Sequence, residues 1–466
     1  MIEERFDLLV VGSGPAGQKA AIGGAKLGKT TVLVEAGVLG GSSLTFGTIP
    51  SKTLREAILQ LTNFTRQSFY ASSKHAPSLS EITINELNYQ VAWVQTHLKE
   101  TIQRQLDKNG VHVMFGFAKF VDPHRMHVFD EEGRHTHSLF AEKIILTIGS
   151  RPRKPEGITF DGKHIFDSNQ LLKLDHIPRS LIVIGAGVIG SEYASMFSVL
   201  GVKVHLIDKH ARLLHFLDRE VGAHLQLSLE ESKLQFHGKK EYTSIRMKGE
   251  NMAVVSFRDG TELEAEAVLV AAGRVCNIDL LDAENAGFAL HASGVVEVNE
   301  KFQTCVPHIY AAGDVIGGPS LSSTGYQQGR LAALHAFHQP IRKTDTIYPY
   351  GIYTIPEVST IGMTEEELID AGLEYAIGRA YFYEVSRSII SGSESGLCKI
   401  LFHPKNLSIY GVHIVGHGAT EIIHIAQAAM TFNATIEYFL EEVFNFPTYA
   451  EMYKIAAQNG LNKVKR

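Results

Sequence analysis

Two glycine triplets, each answered by an acid, carry the first chemical signal in this chain. Gly12, Gly14 and Gly17 follow the apolar run Leu8 to Val11 and open an expected helix, and Glu35 closes the next apolar run, roughly 20 residues on. Gly12 permits a tight turn, Gly14 lets a pyrophosphate approach the backbone, and Gly17 lets the helix lie close to the strand. The helix N-terminus supplies free N–H groups and a positive dipole end for phosphates, while a carboxylate at Glu35 suits the ribose hydroxyls. The pattern then recurs: Gly185, Gly187 and Gly190 follow Leu181 to Ile184, and Asp208 closes the following strand. With 42 glycines in the chain a lone triplet is a weak signal, whereas a second copy of strand, triplet, helix, strand and acid is a strong one. One chain therefore grips two dinucleotides.

Other residues with chemical potential sit on glycine turns at strand ends, where ligands lie in open α/β sheets. The strand Lys143 to Thr147 delivers Thr147 and Gly149 to such a turn, AVLVAAGRVCN delivers Gly273 and Arg274, and the strand His308 to Ala312 delivers Asp314. Asp314 suits a hydrogen bond to a polyol chain and equally an N-cap or turn role. Asp208 favours a free 2′-hydroxyl and repels a 2′-phosphate. Lys209, His210 and Arg212 follow it at once and could hold that phosphate, with Arg212 the best bidentate candidate; solvated loop charges are the alternative. His135 and His137 alternate along a strand, and Glu421 and His424 stand three apart on a helix, but a solvated hairpin and a helix-surface pair account for them, and no metal is expected.

The elements that must position these groups define an α/β chain: two Rossmann-like dinucleotide-binding domains and a C-terminal α+β domain. The expected boundaries are 1–150 with 275–346 for the first domain, 151–274 for the second and 347–466 for the third. A helix is expected over Ile84 to Lys108, a small β excursion over Val111 to His137, strands at Leu397 to Phe402 and Ile409 to Val415, and helices at Glu365 to Asp370 and Glu421 to Phe432. After Ile347 no glycine fingerprint remains, so an interface for a homodimer or higher homo-oligomer is the expected job there. The 466 residues are 44% hydrophobic with a net charge of -6, which argues against nucleic acid as a partner. No apolar run reaches membrane-spanning length, no signal peptide fits ahead of the first strand, and the three cysteines form no motif, so a cytoplasmic location is expected.

The motifs GSGPAG, GTIPSK, TIGSRP, GAGVIGSEYA, AAGRVCN, YAAGDVIG, YTIPEVSTIGMTEEEL and FPTYAE occur in that order. By these the chain resembles the FAD-dependent pyridine nucleotide-disulfide oxidoreductase family over essentially its whole length. The resemblance implies FAD in the first grip, at Gly12, Gly14, Gly17, Glu35, Lys52 and Asp314, and NAD or NADP in the second, at Gly185, Gly187, Gly190 and Asp208. It also implies a homodimer and a catalytic pair beside the flavin ring, Lys52 of IPSK and Glu192 of GSEYA.

The chain departs from that family where its thiol chemistry resides. Ser43 and Thr48 occupy the positions of the two redox cysteines, and Phe446 stands where the family keeps a histidine before Pro-Thr, although Glu451 is retained. A hydroxyl cannot cycle between thiol and disulfide. The branch this pattern most resembles exchanges hydride between NADPH and NAD+ through FAD in a ping-pong sequence, with both nicotinamide dinucleotides as substrates. Two alternatives remain: a diaphorase or oxidase passing electrons to a quinone or oxygen, and a non-enzymatic flavoprotein sensor.

Overall fold

The computed structural model describes residues 2–66, 83–341 and 347–464. The chain divides into two compact units: Met1–Leu54 with Leu87–Arg153 and Gly273–Lys343, and Arg55–Glu86 with Lys154–Ala272 and Thr344–Arg466.

The first unit is built on a sheet whose central strand is Glu3–Val11, flanked in parallel by Thr31–Glu35 and by His135–Leu146. Thr31–Glu35 is buried along its whole length, as a strand covered on both faces must be. Alternation sorts the central strand: Leu8 and Val10 pack with Ala16, Ala20 and Ala21 of the helix Pro15–Lys26, while Leu9 and Val11 join Ala141, Ile144 and Leu146 on the other face.

Two expectations are corrected in this unit. The β excursion was expected to begin at Val111, but His112–Phe115 pairs in parallel with Thr31–Glu35 and belongs to the main sheet. It follows the 25-residue helix Ile84–Lys108, which makes the crossover that a parallel strand requires. The strand expected over Lys143 to Thr147 is instead the 12-residue His135–Leu146. Its free edge is shared: the first half pairs antiparallel with Arg125–Phe129, and the end pairs in parallel with Ile309–Ala311. Past the glycine turn at Gly149, Ser150–Pro152 forms a short strand paired antiparallel with Arg274–Cys276.

The second unit holds a five-stranded parallel sheet in the order Leu234–His237, Lys203–Ile207, Ser180–Ile184, Ala267–Val270, Ile165–Asp167. A three-stranded antiparallel sheet, Tyr242–Lys248, Met252–Phe257 and Glu262–Ala265, completes this region. The C-terminal part of the unit is a five-stranded antiparallel sheet in which Leu397–Phe402 and Ile409–Val415 pair over six registered positions. Helices Ala419–Thr431 and Glu451–Val464 cover it around Phe382, Phe402, Phe439 and Tyr453.

Several charged residues are buried in this unit, Lys399 and Asp218 completely. Lys399 lies on the strand Leu397–Phe402 with its side chain 1% exposed, and its ammonium meets Asp218 at 2.9 Å, Glu220 at 3.2 Å and Glu365 at 2.5 Å. Asp218 also caps the helix Arg219–Glu230 by accepting from the N–H groups of Glu220 and Val221. Among the described residues no helix is long and apolar enough to cross a membrane.

Candidate dinucleotide sites

The two glycine turns have the same construction. Gly12 adopts φ +97° and Gly185 φ +102°, and a Cβ at either would lie 2.5 Å from a backbone oxygen, that of Thr147 or of Ala271. A Cβ on Gly17 would fall on the Gly12 carbonyl, and one on Gly190 on the Gly185 carbonyl. Each turn is sewn between two strands: Gly12 N donates to Val34 O and Gly185 N to Ile207 O, both at 2.8 Å.

The acids lock these turns. Glu35 accepts at one oxygen from the Ser13 N–H and hydroxyl, at 2.7 and 2.5 Å, and at the other from Gly37 N–H at 2.8 Å. Asp208 accepts from Ala186 N–H at 2.7 Å, and at its other oxygen from His210 N–H at 2.8 Å and His210 Nδ1 at 2.7 Å. Of about four lone-pair positions on each carboxylate, three are taken within the chain. The acids therefore set the loop shape, which the motif alone did not reveal; Ser13, between two glycines, was the overlooked signal.

Above both turns the helix N-termini are open. Gly14 and Gly187 stand at the N-caps of Pro15–Lys26 and Val188–Val199 without a side-chain cap, and a Cβ at either meets nothing within 4 Å. Free N–H groups over open space fit a pyrophosphate. The first turn has a second glycine wall, where Gly40 N donates to Ser13 Oγ at 2.9 Å and a Cβ on Gly41 would reach Gly14 at 3.1 Å. At the second turn the corresponding span carries Leu214, whose N–H donates to Ala186 O at 2.9 Å. The first turn is thus faced by a second glycine-lined backbone, which suits a resident FAD.

Further groups surround the first site. The Thr147 hydroxyl lies 2.8 Å from both the Val11 and Gly12 carbonyl oxygens and donates to them, so it buttresses the turn. Gly149 and Gly273 hold φ +65° and +101°. Asp314 is not an N-cap, that place being taken by Gly313, and its Oδ2 accepts from the Ser150 hydroxyl at 2.6 Å. Arg274 in turn grips Ser150, from Nε to Oγ at 2.8 Å and from Nη2 to the carbonyl at 2.6 Å. Burial and the adjacent Asp314 carboxylate push the Cys276 thiol up.

At the positions of the missing thiols, Ser43 Oγ lies 2.9 Å and Thr48 Oγ1 3.1 Å from Ser322 Oγ. Three hydroxyls satisfy one another there. Lys52 lies on the helix Thr48–Arg66, with Nζ 3.4 Å from Ser51 Oγ. Glu192, in the second unit, is buried on Val188–Val199 and accepts from Tyr353 N–H at 2.9 Å.

Arg212 donates from Nη2 to the His215 carbonyl at 3.1 Å. Desolvation and the neighbouring His210 hold His215 below the usual imidazole range. His137 bonds Glu4 at 2.8 Å and His424 bonds Gln427 at 2.8 Å, and among the described residues no metal-holding cluster of three or more His, Cys, Asp or Glu occurs. Phe446 is 70% exposed, and Glu451 keeps one buried carboxylate oxygen without a partner.

Comparison with known proteins places these sites in context. The family model described as pyridine nucleotide-disulphide oxidoreductase matches residues 6–329, and the dimerisation domain of the same family matches 348–457. The chain is 42% identical over 461 residues to a soluble pyridine nucleotide transhydrogenase of Mycobacterium bovis, covering 99% of this chain and 98% of that one. It is 41% identical over 475 residues to another of that name from Chromohalobacter salexigens, with both chains fully covered. Its fold is that of LpdA from Mycobacterium tuberculosis, with a TM-score of 0.88 at 24% identity, 98% of this chain and 99% of that one being covered. The HOCl-induced flavoprotein disulfide reductase RclA from Escherichia coli has the same fold, with a TM-score of 0.86 at 24% identity over 97% of this chain and 99% of its own.

Proposed function

The chain belongs to the pyridine nucleotide-disulphide oxidoreductase family, and from that premise we propose that it is an FAD-dependent enzyme exchanging hydride between NADPH and NAD+. The observation that carries this reading is the hydroxyl cluster of Ser43, Thr48 and Ser322 where a disulfide reductase needs thiols, in a chain that keeps two intact dinucleotide turns. Bound in the first site, FAD supplies a two-electron carrier that takes hydride from one nicotinamide and returns it to another.

The chain contributes position and charge. Gly12, Gly14, Gly17 and the Gly40–Gly41 wall hold the flavin pyrophosphate, Glu35 keeps that turn in shape, and Asp314, oriented by Ser150, holds the sugar alcohol chain. Gly185, Gly187, Gly190 and Asp208 do the same for each nicotinamide dinucleotide in turn. Lys52 and Glu192 serve the ring, Lys52 through its positive charge. The net reaction, NADPH plus NAD+ giving NADP+ plus NADH, releases no proton, so Phe446 in place of a base costs the reaction nothing. We assign residues 1–150 with 275–346 to flavin, 151–274 to the nicotinamide dinucleotides and 347–466 to a homodimer interface, and place the protein in the cytoplasm.

The test is NADPH oxidation coupled to an NAD+ analogue whose reduced form absorbs at its own wavelength. Stopped-flow reoxidation of NADPH-treated enzyme should be faster with NAD+ than with oxygen. Faster reoxidation by oxygen overturns the assignment in favour of an oxidase.

A further inference from the structure

The loop after Asp208 holds two imidazoles in an arrangement that spacing did not suggest. His210 Nδ1 lies 2.7 Å from Asp208 Oδ1, which also accepts from the His210 backbone N–H at 2.8 Å. The His210 ring stacks on His215 with centroids 3.9 Å apart and planes 19° from parallel. A carboxylate only accepts, so Nδ1 carries the hydrogen, and Nε2 is the remaining polar atom of the ring. Neutral, Nε2 is an acceptor and matches a donating 2′-hydroxyl. Protonated, it is a charged donor and matches a 2′-phosphate. Arg212 is permanently charged and cannot present both faces.

We propose that His210 is a proton-switched selector at the adenosine end of the second dinucleotide site, neutral for NAD(H) and protonated for NADP(H), with Asp208 fixing its tautomer. The inference rests on the reading that this site takes both nicotinamide dinucleotides in turn. It accounts for how a site closed by a carboxylate accepts a phosphate: the same acid that repels the phosphate also favours the cation that cancels it.

The surroundings set the balance. Lys209, Arg212 and His215 share the loop, and the turn after Leu234–His237 packs against it, with Lys239 N–H donating to His210 O at 3.0 Å and Lys240 N–H to Asp208 O at 2.9 Å. Asp208 favours the protonated ring; Lys209, Arg212, Lys239 and Lys240 oppose it, as does His237 when charged. Desolvation and His210 hold His215 below the usual imidazole range.

The test measures binding, so that it stands apart from hydride exchange. The FAD-loaded enzyme is titrated calorimetrically with 2′,5′-ADP and with 5′-ADP from about pH 5.5 to pH 8.5, across the imidazole range. The affinity ratio should move about tenfold towards the 2′-phosphate relative to His210→Asn as pH falls, the shift that one unit of pKa difference would produce. The asparagine keeps a donor for Asp208 without titrating, and the ionisation of the free ligand's phosphate, with a second pKa of about 6, is common to both titrations. On the unmutated enzyme, the His210 imidazole proton resonance should titrate with the same midpoint as the affinity ratio. Matching profiles in the two proteins, or a resonance that stays flat while the ratio moves, overturns the selector. An enzyme that shows the pH-dependent ratio yet does not exchange hydride overturns the proposed activity and leaves the selector standing.

Discussion

The Ser150 hydroxyl donates to Asp314 Oδ2 at 2.6 Å, so the acid assigned to the flavin chain is aimed by a residue contributed from the neighbouring strand end. A hydrogen bond to a charged group contributes about 1.5–3 kcal/mol. Ser150→Ala should therefore raise the FAD dissociation constant about tenfold, and Ser150→Thr should restore most of the loss. Flavin fluorescence released on dilution measures both.

The two turns give separable lesions. A methyl group at Gly17 or Gly190 falls on the carbonyl of Gly12 or Gly185, and neither backbone can yield without leaving its sheet. Gly17→Ala should yield colourless protein. Gly190→Ala should remain yellow while losing reduction by NADPH, with KM for NADPH raised about tenfold or more, the weight of 1.4 kcal/mol. Absorbance spectra before and after NADPH distinguish the outcomes.

Treatment with NADPH should expose no new thiol, because the positions that would carry one hold Ser43 and Thr48. Titration with a thiol reagent checks this directly. Ser322→Ala removes the oxygen that both hydroxyls share and should lower stability by about 1 kcal/mol, read as a fall of a few degrees in Tm.

Lys399 is held by three carboxylates with almost no access to water. Lys399→Met leaves those charges uncompensated and should cost about 3–5 kcal/mol, whereas Lys399→Met with Asp218→Asn and Glu220→Gln should recover part of it. Burial alone would raise the Asp218 carboxyl, but His413 and Lys399 outweigh it and hold it below its usual value; at Glu220, Arg379 and Lys399 likewise outweigh burial. Depressed carboxyls stabilise the fold above their unfolded pKa values, and that contribution is lost as pH falls through the folded ones. Stability should therefore drop below about pH 4, and less steeply in the triple variant. Calorimetric Tm against pH is the measurement.

Phe432, Val443 and Phe446, 83%, 91% and 70% exposed, lie in the region matched by the dimerisation domain. Sedimentation should give twice the chain mass, and Val443→Asp with Phe446→Asp should shift the enzyme towards monomer.

Much of this fold was legible because its signals are local. The helix Ile84–Lys108 and the strands Leu397–Phe402 and Ile409–Val415 fall where periodicity put them, since each pattern is complete within its own segment. The place of His112–Phe115 in the main sheet and the Ser150–Pro152 ribbon were missed because their partners lie far away in sequence, and pairings of three or four residues leave no period to detect. Lys399 sits in an apolar strand, where only the arrival of Asp218, Glu220 and Glu365 makes a buried ammonium tolerable. At the candidate sites the glycines were visible for a steric reason confined to the turn. The hydroxyls of Ser13, Ser150 and Ser322 were not, because a hydroxyl gains meaning only from the atom it faces.

The shared oxygen of Ser322, between Ser43 and Thr48, also bears on chemical durability. Peroxide and hypochlorous acid carry a reactive thiolate through sulfenic to irreversible sulfinic and sulfonic acids, whereas alcohol side chains offer no such ladder. Of the cysteines, Cys398 is buried with its thiol pushed up to about 12, Cys276 is raised as well, and only Cys305 is exposed. An enzyme built this way carries alcohols, not thiols, at positions 43 and 48. It should go on setting the balance between NADPH and NADH through an oxidant burst that would oxidise a reactive thiolate at the same positions.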